Sequence, residues 1–558
     1  MEKATDFDVI VVGAGFGGVY LTHRLTQDGL NVRVFEAGSD VGGTWYWNRY
    51  PGARCDVESW EYSYSFSDEI EREWRWSERF ATQPEILSYI GHVAERFDLK
   101  RHMRFDTRVV AATFDDVAST WTIETHAGDR FTARYCIMAT GCLSASRLPD
   151  IPGIDRFRGN TYRTGEWPHE EVDFTGQRVG VIGTGSSGIQ VIPEIARQAE
   201  QLLVFQRTPS FSVPAKNGRR PPEHEKMWVA RHRELREEAR GTRSGVLHEY
   251  ATRTAGEMTP AEREAELTRR WNKGGTNFMY AFTDIATNEG ANAIAAEFVR
   301  RKIGEIVENP ATADRLMPRD YPIGTKRICV DTDYYATFNR RNVSLIDLRE
   351  APIEEITAEG IRTRDAAYPL DAIVFATGFD AITGALLAMD IRGVGGTSLR
   401  EKWAEGPRAY LGVAIADFPN LFIITGPGSP SVISNMVLSC EHHADWIAEC
   451  LTHMRQIGAD RIEARREDQE AWVEHVNEVA EPTLFGKAAS WYRGANIPGK
   501  PQVFMPYVGG VDVYHRRCAA EAAKGYPGFK LSTPRETPTL PRSVLAATAN
   551  RNDERKEG

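Results

Sequence analysis

Apolar residues in this chain fall into two kinds of run. Short, wholly apolar runs at Asp8-Val-Ile-Val-Val12 and Arg178-Val-Gly-Val-Ile182 predict strands buried on both faces of a parallel sheet. Similar runs predict strands at Asn31 to Phe35, Phe131 to Met138, Gln201 to Phe205, Val343 to Ile346, Ala372 to Phe375 and Leu421 to Ile424. Tyr321 to Arg327 also reads as strand-like. Longer charged stretches carry a helical period: Trp74 to Phe97, Glu223 to Arg240 and Pro260 to Trp271. Helices are further predicted from the first glycine loop through Leu25 and from Asn435 to Arg455. Strands alternating with helices predict an α/β architecture.

The two most apolar strands each lead into a glycine loop. The first is Gly13-Ala-Gly15-Phe16-Gly-Gly18; the second is Gly183-Thr184-Gly185-Ser186-Ser187-Gly188. Such glycines allow a tight turn, close approach to a pyrophosphate and close helix–strand packing, and the helix start offers free N–H groups to phosphate. The strand after the first loop ends in Glu36, which accepts from a ribose 2′-hydroxyl and repels a 2′-phosphate. At the equivalent place in the second repeat stand Gln206-Arg207-Thr208. A cation there favours a 2′-phosphate, hence NADPH over NADH. The chain therefore reads as two Rossmann-like dinucleotide-binding domains, with the charged helical stretch inserted in the second. The expected division is 1–142 and 379–532 for the first domain and 143–215 and 319–378 for the second. Residues 216–318 form the helical insertion, and 533–558 a flexible tail.

Bulk composition changes this picture little. The 558 residues are too many for one core, and 41% hydrophobic with 26% charged residues is ordinary for a globular enzyme. A net charge of −10 argues against a nucleic-acid partner. No apolar run approaches a membrane span, and Met1 to Asp8 has neither the basic start nor the apolar core of a signal peptide, so a cytoplasmic chain is expected. Seven scattered cysteines form no C-x-x-C pair, so no metal site or redox dithiol is indicated, and reduced, packed thiols are expected. His442-His443 is read as helix surface.

Two segments carry more specific chemistry. Gly43-Thr44-Trp45-Tyr-Trp47-Asn-Arg-Tyr50-Pro-Gly52-Ala-Arg-Cys-Asp56 sets three bulky aromatics among glycines. It makes a poor helix and a poor strand but a reasonable wall for a flat, conjugated ring. The connector into the second loop reads Phe157-x-Gly159-x-x-x-Arg163-x-x-x-Trp167-Pro168. Together with both glycine loops, Lys326-Arg327, Gly426 to Met436 and Trp491 to Lys500, these segments resemble the class B Baeyer–Villiger flavoprotein monooxygenases over residues 6 to 532. The likeness is nearest to the phenylacetone- and steroid-oxidising members.

The resemblance implies FAD in the first fold and NADPH in the second. With no dithiol to receive electrons, reduced flavin passes them to dioxygen, and a C4a-peroxyflavin attacks a bulky cyclic or aryl ketone. The product is an ester or lactone, formed through a Criegee intermediate. Carried over by motif, Arg327 is the catalytic arginine, permanently charged and unable to act as a proton donor at working pH, and Asp56 orients it. Gly13, Gly15, Phe16, Gly18, Glu36, Thr44, Trp45, Trp47, Asp56, Tyr62, Val109 and Met436 are implied as FAD contacts. Gly183, Thr184, Gly185, Ser186, Ser187 and Gly188, with Arg207, Thr208, Lys326, Arg327 and Trp491, are implied for NADP. Pro430, Ser431, Val432 and Ile433 match the segment that lines the ketone pocket.

One position departs from the family pattern: the connector's histidine is replaced by Arg163. An imidazole donates and accepts, whereas a guanidinium only donates and stays charged. Altered coupling or rate is expected rather than lost cofactor binding. A poorly coupled NADPH oxidase or crippled flavin binder is therefore one alternative; a sulfide or amine oxygenase is the other.

Overall fold

The computed structural model describes residues 5–533, so the expected tail beyond Thr533 lies outside the described residues. Strand Phe7–Val12 is central in an eight-stranded sheet, flanked in parallel by Val32–Phe35 and Arg130–Met138. The two-residue period explains why Val9 to Val12 has no polar position. Val9 and Val11 enter one core, against the helices Phe16–Gln27 and Met436–Ile457, while Ile10 and Val12 enter another on the opposite face. Leu421–Ile423 adds to Arg130–Met138 in parallel, and Val109–Asp115 with Thr120–Thr125 extends the sheet in antiparallel fashion.

A second sheet repeats the plan. Arg178–Ile182 lies between Gln201–Gln206 and Ala372–Phe375, with Val343–Asp347 and Asn160–Arg163 outside, and all five strands are parallel. Between Gln201–Gln206 and its neighbour Val343–Asp347 the chain runs through the helices Pro222–Arg240, Pro260–Lys273, Glu289–Ile306 and Pro310–Leu316. Two buried arginines fasten this excursion to residues 58–80, which run between the first sheet's strands Val32–Phe35 and Met103–Arg104. Arg236 pairs with Glu71 at 2.7 Å and donates to the Glu61 carbonyl and the Ser63 hydroxyl. Arg79 pairs with Glu58 and donates to the Lys273 carbonyl at 2.6 Å. Removing one partner of such a pair strands a buried charge, at a cost of roughly 3–5 kcal/mol.

Several local expectations are corrected. The helix expected over Trp74 to Phe97 is Gln83–Arg96, with a separate short helix at Asp68–Glu73. Pro84 sets the start, because proline is tolerated only in a first turn. Thr44–Trp47, expected to make a poor helix, is one helical turn: Gly43 enters it at φ +53° and Asn48 Nδ2 donates back to the Thr44 carbonyl. Tyr321 to Arg327 is a turn. Gly324 takes φ +85° and Thr325 Oγ1 donates to the Pro322 carbonyl, so the strand begins only at Cys329.

Of the two histidines expected on a helix surface, His443 is buried and His442 half-buried. The Met436–Ile457 helix is buried around most of its circumference, so its sequence does not mark one dry face. His443 Nδ1 accepts from the Thr425 N–H at 2.9 Å and Nε2 meets the Tyr514 hydroxyl at 2.7 Å. The Tyr514 hydroxyl donates onward to the Leu411 carbonyl, which leaves its oxygen to accept from a proton on His443 Nε2. His442 stacks on His515 with ring centroids 3.8 Å apart. All seven cysteines are free and buried, as expected.

Burial, with the nearby His515, pushes the His443 pKa down to about 3. The unfolded chain titrates near 6.5, so between these values it takes up a proton that the fold refuses. The contribution of His443 to stability is therefore whole above pH 6.5 and is lost as pH falls toward 3. Burial pushes Glu61 the other way, up to about 8, so a raw pH profile mixes opposing effects. A His443→Gln substitution isolates one of them, since an amide can accept and donate at the same two sites without titrating. The melting temperature of the variant should fall less than that of the parent between pH 6.5 and 4. Parallel melting-temperature profiles would rule out His443 as a source of acid sensitivity.

Candidate active site

The two glycine loops are built alike. Gly13 and Gly183 take φ of +106° and +110°, and a Cβ on either would lie 2.5 or 2.4 Å from the Ala139 or Ala376 carbonyl oxygen of the adjacent strand end. Those strand ends are the Ala-Thr-Gly turns at 139–141 and 376–378. Gly15 and Gly185 each open a helix, Phe16–Gln27 and Ser186–Gln198. They differ in what they face. A Cβ on Gly15 would touch Gly43 Cα at 3.4 Å, whereas one on Gly185 would meet nothing within 4 Å. Gly18 and Gly188 do not reach the cavity but lie under their own loops, where a Cβ would strike the Gly13 or Gly183 carbonyl.

Both loops open into one cavity of about 1790 Å³. Its first end is lined by Gly13, Gly15, Phe16, Glu36, Thr44, Trp45, Trp47, Asp56, Tyr62, Val109 and Met436. Glu36 is buried there and accepts from the Ala14 N–H at 2.7 Å and the Gly38 N–H at 2.8 Å. Burial raises its pKa and these backbone donors pull it back. Trp45 Nε1 donates to the Tyr62 hydroxyl, and Phe16 packs edge-on against Tyr62.

The second end is lined by Gly183, Thr184, Gly185, Ser186, Ser187, Arg207, Thr208, Lys326, Arg327 and Trp491. Lys326 sits over the Tyr321 ring, with Nζ 4.4 Å from its centroid. Burial and then the neighbouring Arg207 charge lower the Lys326 pKa, and Asp320 opposes this only weakly. Two facing cations that repel one another form a site that an anion relieves, which fits the phosphate of a 2′-phosphorylated ribose.

Arg327 and Asp56 meet where the two ends join. The pair is bidentate, with Nε to Oδ2 at 2.8 Å and Nη2 to Oδ1 at 2.7 Å, and Arg327 Nη1 donates to the Val432 carbonyl. Burial opposes the guanidinium charge, but the Asp56 carboxylate outweighs it and the Arg327 pKa is raised. Arg327 keeps 30% of its side-chain surface open, so its charge still reaches the cavity it lines.

Not every expected residue arrives. Of Pro430, Ser431, Val432 and Ile433, only Val432 lines the cavity. The loop turns at Val432, where φ is +62°, and Ser431 is buried with its hydroxyl 2.9 Å from Cys142 Sγ. Of the connector fingerprint only Trp167 lines the cavity, stacked on Tyr162. Phe157 packs beneath the second sheet, and a Cβ on Gly159 would lie 2.4 Å from the Asp371 carbonyl. Pro168 is half-buried outside the cavity. Arg163 ends strand Asn160–Arg163 and pairs with Glu166 at 2.9 Å, with both side chains about 40% exposed. Glu166 also accepts from the Ser146 hydroxyl.

Two contributors escaped the sequence. Gln190, on helix Ser186–Gln198, accepts from the Tyr50 hydroxyl at 2.8 Å and donates to the Arg54 carbonyl at 3.0 Å. Gly52 packs so tightly there that a Cβ would lie 2.4 Å from the Gln190 carbonyl, and that glycine was the available signal. Tyr492 is buried near Arg327, its pKa pushed up to about 12 by burial despite the arginine's charge. Only its place beside Trp491 hinted at it.

Residues 7–235 match the flavin-binding monooxygenase-like family. A Baeyer–Villiger monooxygenase of Pseudooceanicola batsensis is 42% identical over 525 residues, 93% of this chain and 95% of the relative. Phenazine N-monooxygenase PhzNO1 of Lysobacter antibioticus is 41% identical over 94% of this chain and 97% of its own length. The solved structure of an oxidised steroid monooxygenase bound to NADP superposes with a TM-score of 0.90 at 50% identity, covering 94% of this chain and 99% of that one. The chain belongs to the Baeyer–Villiger monooxygenases, flavoproteins that use FAD and NADPH. Among the described residues no helix is long and apolar enough to cross a membrane, and no cluster of ligating side chains could hold a metal.

The cation pair gives a direct test of cofactor choice. Arg207→Asp should raise the KM for NADPH about a hundredfold, by losing a charge-assisted contact and adding repulsion, and should barely move that for NADH. Equal changes in the two KM values would place Arg207 away from the 2′-phosphate.

Proposed function

We propose that this enzyme converts a bulky cyclic or aryl ketone, with NADPH and O₂, into the ester or lactone, NADP⁺ and water. The observation that carries the reading is the half-buried, bidentate Arg327–Asp56 pair at the junction of the two cofactor ends. Reduced flavin, when bound, supplies the chemistry that activates dioxygen. Arg327 holds a fixed positive charge where negative charge develops on oxygen, and cannot quench it by giving up a proton. Asp56 aims the guanidinium and keeps it charged. Lys326, Arg207 and Thr208 hold the 2′-phosphate, and Trp491 covers the nicotinamide side. Glu36 takes the flavin-side ribose, and the aromatic group at Trp45, Trp47 and Tyr62 walls the ring. Leu143, Ala381 and Val432 line the cavity from an apolar cluster that reaches Arg327 through Val432, which supports an apolar ketone.

The division of the chain into a first domain at 1–142 and 379–532, a second at 143–215 and 319–378, and an insertion at 216–318 is part of this proposal. So is a cytoplasmic location. Nitrogen oxygenation is the second reading, favoured by the N-monooxygenase relative, and competing ketone and amine substrates separate the two.

Arg327→Ala should still let NADPH reduce the flavin but lower ester formation by roughly 10²–10³-fold. Ester formed at the parent rate would remove Arg327 from the chemistry. Because the Arg163–Glu166 pair is exposed, its energetic reach is small. Arg163→His is therefore expected to shift the peroxide-to-ester ratio by a few-fold without loss of bound FAD. Unchanged ratio and rate would make Arg163 a plain surface contact.

A further inference from the structure

Val432 and Ser434 bring the Pro430–Ser434 loop to the cavity, and the Val432 backbone is in an unfavourable state. Its φ of +62° lies in the left-handed region, which a side chain branched at Cβ rarely adopts. The flanks hold it there. Ser431 is hydrogen-bonded to Cys142, Ser434 Oγ donates to the Pro430 carbonyl at 2.7 Å and meets Ser439 Oγ, and Asn435 caps the Met436–Ile457 helix. The Val432 N–H itself points at Met436 Sδ, 3.1 Å away. Anchors on both sides impose a conformation that the residue alone would avoid.

The strained peptide has one polar product: its carbonyl receives Nη1 of Arg327. Asp56 occupies the Nε and Nη2 edge of the guanidinium. Three of its five N–H groups remain, two on Nη1 and one on Nη2, and the Val432 oxygen takes one on Nη1, so it occupies part of the end left for any other acceptor. A carbonyl dipole there also turns its negative end toward the charge and weakens the field beyond it.

We propose that the Val432 carbonyl is a displaceable occupant of Arg327, given up when a substrate carbonyl binds, and that backbone strain at Val432 makes its release easy. The inference rests on the reading of Arg327 as the catalytic arginine. Rotation about the Val432 N–Cα bond toward negative φ relieves the strain and swings the carbonyl off Nη1. Val432 is thus a positioning residue that acts through Arg327.

Residues tolerant of positive φ should stabilise the occupied state and hinder the ketone. Asn and Gly tolerate it; Thr, branched like Val, does not. Val432→Asn and Val432→Gly should each raise the ketone KM, relative to the KM for NADPH, by roughly tenfold. Val432→Thr, which adds a polar group of comparable size but keeps the strain, should raise it by less than about threefold. Flavin bound per chain reports folding, and Gly serves as the check should Asn misplace its amide. Equal rises for Asn and Thr, or no rise for Asn and Gly, would overturn the proposal while leaving Arg327 in its role. Oxygenation retained in Arg327→Ala would bring down both.

Discussion

One ion pair joins the two folds at the cavity itself, and the cavity takes its form from it. Asp56 comes from the segment that follows the first glycine loop, while Arg327 enters just before the strand Cys329–Asp331. Neither has another charged partner of comparable geometry, and each alone would be a buried or half-buried charge in need of one. The pair holds only if residues 50–56 lie in fixed register on helix Ser186–Gln198, and Gln190 enforces that register through Tyr50 and Arg54. The helix that starts at the second glycine loop therefore also locates the carboxylate contributed by the first fold.

The resemblance between the two folds reaches atomic detail, and their difference is concentrated in charge. Each has a glycine at nearly the same positive φ against an alanine carbonyl, and each has a helix opening on the cavity. At the end of the second strand one repeat carries buried Glu36 and the other exposed Arg207. A carboxylate directly after one strand and a guanidinium one place further on in the other are what one scaffold would need to select two nucleotides, one of them bearing an extra phosphate.

Much of this was legible in the sequence because it is local. A strand buried on both faces leaves an unbroken apolar run, and the residue after it faces the nucleotide, so the strands, the loops, Glu36 and Arg207 could be read directly. Arg327 and Asp56 lie 271 residues apart, and only motif likeness joined them. What stayed hidden was set by tertiary contact. Gln190 is one glutamine on an amphipathic helix; its role exists only when residues 50–54 arrive. His443 lies on a helix buried around most of its circumference, where periodicity names no face. The turn at Gly324 had the composition of a strand, and the departure at Val432 depends on anchors at Cys142 and Ser439 that no local pattern announces.

The excursion through Pro222–Arg240 and its following helices bears on how such a chain reaches its native state. The strands Gln201–Gln206 and Val343–Asp347 are neighbours in one sheet, yet the excursion between them is fastened by Arg236 and by the contacts of Arg79 to a part of the chain that precedes that sheet. Loop closure across so long a segment is entropically slow, and docking the excursion onto an already formed surface shortens the search. The segment at residues 58–80 thereby serves as the seat of the excursion, and its loss would leave the second sheet to close without that support.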